Sequence, residues 1–131
     1  MADSRLQLVL VTPEKTLVDE PVEALRFPLF DGQVGVLPGR APLVGRLGYG
    51  PLKVTQTGGE RLFYIDGGFV QVKGPVVSIL TNRALVPTDI DATEAEKSLA
   101  DASARVATTD LDMAAKARDQ ERARQMLSMA K

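Results

Sequence analysis

Histidine and cysteine, the side chains that most often act as nucleophile, general base or metal ligand near neutral pH, are both absent from this 131-residue chain. Acyl transfer would fall to a serine with a lysine or carboxylate partner, and none of Ser4, Ser78, Ser98, Ser103 and Ser128 lies in a glycine elbow. Asp110-Leu111-Asp112 offers two acids, but that spacing suits a helix N-terminus better than a cation. Gly48-Tyr49-Gly50 begins like a dinucleotide loop, yet Lys53 stands where the third glycine belongs, and no GxxxxGK[ST] run exists. Phe63 and Tyr64 read as core and cross-strand contacts rather than a base-stacking platform. No catalytic residue, metal site or cofactor is expected.

Charge points elsewhere. The net charge of −1 draws the whole molecule to neither nucleic acid nor an anionic lipid surface. The last third is asymmetric: Asp89, Asp91, Glu94, Glu96 and Asp101 come first, then Lys116, Arg118, Arg122, Arg124 and Lys131. This pattern fits dipole matching and solubility, and it equally fits arginines that reach an acidic partner surface. Without cysteine there is no disulfide framework, which favours a cytosolic compartment. No run approaches the ~18 apolar residues of a membrane span, so the protein is expected to be soluble, held at any membrane by other chains.

The elements that would carry such surfaces follow from periodicity. Leu6 to Thr12 alternates as a half-buried strand ended by Pro13. Further strands are expected at Val22–Phe27, Gln33–Leu37, Leu52–Gln56, Leu62–Ile65, Phe69–Val72 and Val76–Thr81, with Gly58-Gly59 forming a hairpin turn. Short strands at such close spacing predict an antiparallel β-sandwich over residues 1–87.

From Asp89 onward glycine, proline and aromatics vanish, and alanine dominates. Residues 88–131 are expected to form an α-helical hairpin. Asp91 with Glu94 caps the first helix, and Thr109 caps the second after a connection of about three residues. The first apolar seam is Ala92, Ala95, Leu99, Ala102 and Val106; the second is Met113, Ala117, Gln120, Ala123, Leu127 and Ala130. So few large side chains, each worth roughly 1.5–3 kcal/mol if fully buried, make the hairpin marginal by itself.

The organising stretch is Asp31 to Gly50, which holds more than half of the glycines, together with Pro38 and Pro42. Its backbone must turn repeatedly, while Val34, Val36, Leu37, Leu43, Val44 and Leu47 anchor it. Asp31-Gly32-Gln33-Val34-Gly35-Val36-Leu37-Pro38-Gly39, followed by Ala41-Pro42-Leu43, resembles the D/E-G-x-x-G-V-L-P-G-H-A-P-L signature of the epsilon subunits of bacterial F-type ATP synthases. Arg40 replaces the signature's histidine, exchanging a titratable group for a permanent charge. Gly67-Gly68-Phe69-Val70-Gln71-Val72 resembles a later strand of the same family.

The resemblance implies a non-catalytic rotor subunit of the central stalk, bound to the γ subunit and resting on the c-ring. In that reading Asp31, Gly32, Gln33, Arg40, Ala41 and Pro42 belong to the interface. It also implies coupling of proton flow to ATP synthesis and a peripheral position on the cytoplasmic side of the cell inner membrane. The hairpin would extend along γ and meet the α and β subunits, with Arg118, Arg122 and Arg124 on an acidic loop of β, to restrain ATP hydrolysis. ATP-sensing relatives carry (I/L)-D-x-x-R-A, matched here by Ile90, Asp91 and Ala95, but Glu94 replaces the arginine and should repel phosphate. The alternative reading is a free-standing β-sandwich binding module whose helical tail dimerises.

Overall fold

The computed structural model describes residues 5–39 and 41–130. The chain divides between Leu85 and Val86 into a sheet-built unit and a helical one. Among the described residues the first unit has ten strands: β1 (Leu6–Val11), β2 (Thr16–Val22), β3 (Ala24–Leu29), β4 (Gly32–Val36), β5 (Leu43–Arg46), β6 (Tyr49–Gln56), β7 (Gly59–Asp66), β8 (Phe69–Lys73), β9 (Val76–Leu80) and β10 (Ala84–Leu85). They form two five-stranded sheets, β2-β1-β9-β8-β5 (sheet A) and β10-β7-β6-β3-β4 (sheet B).

Strict alternation explains the core. Leu6, Leu8 and Leu10 of β1 are buried, as are Leu52 and Val54 of β6, Val70 and Val72 of β8, and Val77 and Ile79 of β9. Phe63, Tyr64 and Ile65 are buried in succession, so β7 is covered on both faces, and the core reading of Phe63 and Tyr64 holds. One end of the sandwich is closed between sheets: Arg61 of β7 reaches Glu20 of β2 at 2.5 Å, and Gln56 donates to the same carboxylate at 2.6 Å.

Three strands lie outside the periodicity-based expectation, namely β2, β5 and β10. β2 contains Asp19, Glu20 and Pro21; at the edge of sheet A a proline without an N–H does not break the ladder. A second departure is the ladder β1–β9, which is parallel, with Leu8 opposite Val77 and Leu10 opposite Ile79; the other ladders are antiparallel.

After a short 3-10 turn at Pro87–Asp89, the helical unit has α1 (Ala92–Ala104) and α2 (Asp110–Met129), which pack against each other. Both caps form as expected: Asp91 accepts from the Glu94 N–H at 3.2 Å, and Thr109 from the Asp112 N–H at 3.0 Å. The connection spans residues 105–109, so Val106 lies beyond α1 and is exposed. The expected second stripe forms only in part. Its first members, Met113 and Ala117, are exposed, whereas Ala123 is buried and Gln120, Leu127 and Ala130 are half-buried as expected; Met129 is buried outside the stripe, with Asp119, Arg122 and Met126 half-buried beside it.

Replacing Asp91 by Ala removes the acceptor at the start of α1 and is expected to cost about 1 kcal/mol of helix stability. Amide exchange read on α1 should accelerate roughly five-fold, while the sheet amides keep their protection. Uniform acceleration through both units would contradict it.

Candidate functional site

The glycine and proline stretch occupies two places. β3 and β4 form a hairpin in which Leu29 opposes Gly32, so Phe30 and Asp31 are its two loop residues. Gly32 follows with φ 142°, a backbone setting that a side chain rarely adopts, and Asp31 and Gln33 are exposed at this tip. Phe30 is 72% exposed, and the Arg46 guanidinium lies 5.0 Å from its ring centroid.

Ala41 and Pro42 are also exposed, but they belong to the connection between β4 and β5, which leaves β4 at its far end beyond Val36. The five residues of β4 separate the two groups by a strand length, roughly 15 Å. Asp31, Gly32 and Gln33 therefore form one surface feature, and Ala41 with Pro42 another. Arg40 lies outside the described residues.

A larger surface is one that motif reading passed over. The pairings Arg46↔Phe69, Phe69↔Leu80 and Leu80↔Val11 put these four side chains in one row across β5, β8, β9 and β1, on the side of sheet A away from the core. The next row carries Val44, Gln71, Ser78 and Val9. Val44, Phe69 and Leu80 are 75%, 62% and 51% exposed, so an apolar sheet face meets solvent. A signal for it does exist in the sequence. Leu8-Val9-Leu10-Val11 and Val76-Val77-Ser78-Ile79-Leu80 carry apolar residues at both parities, as a strand covered on both sides must.

In the helical unit the three arginines do not make one patch. Arg118 is exposed. Arg122 turns toward the hairpin seam and meets Asp119 at 3.4 Å, while Arg124 pairs with Glu121 at 3.8 Å. Arg122 and Arg124 are two positions apart, about 200° around a helix, so they face nearly opposite ways.

Ile90, Asp91 and Ala95 are adjacent at the start of α1, but their chemistry is taken. Ile90 and Ala95 are buried, and the Asp91 carboxylate caps the helix. Glu94 is exposed where an arginine would be needed to meet a phosphate.

Comparison with known proteins agrees with this geometry. Residues 5–87 match the family model described as ATP synthase, Delta/Epsilon chain, beta-sandwich domain. An ATP synthase epsilon chain of Rhodopirellula baltica is 45% identical over 97 residues, covering 74% of this chain and 76% of the relative. One of Granulibacter bethesdensis is 40% identical over 115 residues, covering 86% and 84%. Among solved structures, a chain of the Euglena gracilis mitochondrial ATP synthase assembly of OSCP, F1 and c-ring superimposes with a TM-score of 0.86 at 26% identity, covering 98% of this chain and 82% of that one. With the sandwich matched nearly end to end and epsilon chains aligned over most of both lengths, this chain belongs to the ATP synthase delta/epsilon family.

Proposed function

We propose that this chain is a central-stalk rotor subunit of a proton-translocating F-type ATP synthase, joining the γ subunit to the c-ring and passing proton-driven rotation to ATP synthesis. Members named epsilon chain are non-catalytic subunits of ATP synthase, and the chemistry of the residues agrees. The observation that carries the reading is the apolar outer face of sheet A, where Val44, Phe69 and Leu80 are exposed on strands pinned by the core. A rigid sheet with such a face needs a protein partner, and γ fits that role.

In the same reading the Asp31–Gln33 tip meets the c-ring, and the connection with Arg40, Ala41 and Pro42 serves a different contact from the tip. The hairpin restrains ATP hydrolysis by extending along γ toward α and β, offering Arg118, Arg122 and Arg124 to acidic groups. The chain sits peripherally on the cytoplasmic side of the cell inner membrane, attached through the complex. No helix among the described residues is long and apolar enough to cross a membrane. ATP is not a ligand in this reading, because Glu94 opposes it.

A dimerising tail would need its seam free for a second copy, whereas α1 and α2 of one chain pack on each other. Sedimentation at micromolar concentration separates the readings: a monomer that gains mass only with γ is expected, and a stable homodimer indifferent to γ would end the proposal. In reconstituted F1 the chain should lower ATP hydrolysis, the triple Arg118→Gln, Arg122→Gln, Arg124→Gln variant should restore it, and calorimetry with ATP alone should give no millimolar binding heat. An unchanged rate with the triple variant would remove the inhibitory role, and a clear ATP isotherm would overturn the statement about Glu94.

A further inference from the structure

The hairpin is held by polar contacts where its apolar seam is thinnest. Its buried residues on α1 are Ala95 and Ala102, and on α2 Ala123 and Met129, so most facing positions are alanine. Alanine lets helices approach closely but adds little apolar area. Between Ala102 and Ala123 a second kind of contact appears. Asp119 lies about two and a half turns into α2. One of its carboxylate oxygens accepts from Arg105 at 2.7 Å, and the other from Arg122 at 3.4 Å. Arg105 is the residue that ends α1, its own backbone N–H donating to the Ala102 carbonyl. Beside it, Gln120 donates to the Ser103 hydroxyl at 3.2 Å. A single carboxylate thus ties the end of one helix to the middle of the next, and in the same act holds an arginine of α2.

We propose that Asp119 is the latch of this hairpin: by holding Arg105 and Arg122 together it keeps the helices closed and withholds Arg122 from any acidic partner until it lets go. Its second half rests on the inhibitory reading above; its first half does not. The Asp119 carboxylate competes with a partner carboxylate for Arg122, because both bind the same guanidinium. Closure then competes with engagement by simple mass action, and a partner surface rich in carboxylates opens the hairpin by substituting for Asp119. The side chains are partly exposed, 44% for Arg105, 29% for Asp119 and 35% for Arg122, so the latch is weak enough to be displaced and sensitive to salt.

The test uses the full chain and native-state amide exchange. Asp119→Asn keeps the size and removes both ion pairs; α1 and α2 amides should exchange about five-fold faster, with the sandwich amides unmoved. Arg105→Gln alone should give about a three-fold effect, and adding it to Asp119→Asn should change little, since both remove the same bond. Helix exchange unchanged in Asp119→Asn, or effects that multiply, would overturn the latch. In reconstituted F1 with γ, Asp119→Asn should inhibit hydrolysis more than wild type and Arg122→Gln less. Faster exchange with hydrolysis indifferent to Arg122→Gln sinks the inhibitory reading and leaves the closure device standing. Unchanged exchange with hydrolysis relieved by Arg122→Gln does the reverse.

Discussion

Gly68→Ala is expected to lower the stability of the sheet-built unit by about 3–5 kcal/mol, the range reserved for substitutions that the backbone cannot absorb. Gly68 has φ +106°, where an L side chain is strained by roughly 1–3 kcal/mol. Space adds to the cost. A Cβ built on Gly68 would stand 1.9 Å from the Leu80 carbonyl oxygen and 2.8 Å from the Thr81 Cα, both main-chain atoms. Relief would require β9 to move, yet Leu80 pairs with both Phe69 and Val11, and Thr81 donates to the Val11 carbonyl at 3.0 Å. On the other side the Gly68 carbonyl accepts from the Leu47 N–H at 2.8 Å, so the glycine cannot retreat either.

The melting point should therefore fall by roughly 12–40 °C, given about 4–8 °C per kcal/mol for a domain of this size. Gly58→Ala is the control. Its φ is +94° with nothing within 4 Å of the added atom, so only the backbone term of about 1 kcal/mol remains. A melting point for Gly68→Ala no lower than that of the control would show that the strands yield, and the argument from close approach would be wrong.

The same glycine shows what a sequence can and cannot convey. Gly67-Gly68 is visible as a break before Phe69, but that it abuts Leu80, twelve residues on, depends on pairing between β8 and β9. Strands whose inward residues alternate, such as β1 and β6, are legible because period two is a local property. β2 is not, since Asp19, Glu20 and Pro21 are what an edge strand tolerates and what a loop also contains. The parallel ladder between β1 and β9 escapes for another reason: nothing within either strand encodes the direction of its neighbour.

In the helices alanine blurs the contrast on which periodicity depends, so the stripe is legible at Ala123 but extends wrongly to the exposed Met113 and Ala117 and omits the buried Met129. Asp119 and Arg122 deepen the ambiguity. Polar residues by type, they sit on the seam, where Asp119 meets Arg105 across from it as well as Arg122 on its own helix. The arginines were legible as a basic helix, but their division between seam and solvent was not, because that depends on the helical phase.

The outer face of sheet A carries the largest functional prediction: Phe69→Asp with Leu80→Asp should weaken binding to γ by on the order of 100-fold or more without unfolding the chain. Both side chains are already more than half exposed, 62% and 51%, so aspartate there stays hydrated in the free protein and the core beneath, Val70 and Ile79, is untouched. The melting point should accordingly stay near that of wild type. Against a partner the balance reverses. Burying Phe69 contributes roughly 1.5–3 kcal/mol of apolar transfer, and each aspartate placed in a desolvated contact adds a charge with no partner, at about 2 kcal/mol or more. Since 1.4 kcal/mol is a factor of ten, two such positions at the centre of one row exceed the stated 100-fold.

Arg46 ends that row beside Phe69 and shares Phe30 through its ring contact, so it could offer the new carboxylates a salt bridge and soften the loss. Arg46→Gln combined with the two aspartates removes that escape and should bind γ more weakly still. Lys73→Glu supplies the contrast: it reverses a charge one row beyond Gln71, on the same face but off the apolar row, and should alter the salt dependence of binding by only a few-fold. If the double aspartate chain still assembles with γ at wild-type affinity while remaining folded, the apolar face is not the docking surface, and the partner must sit elsewhere on the sandwich.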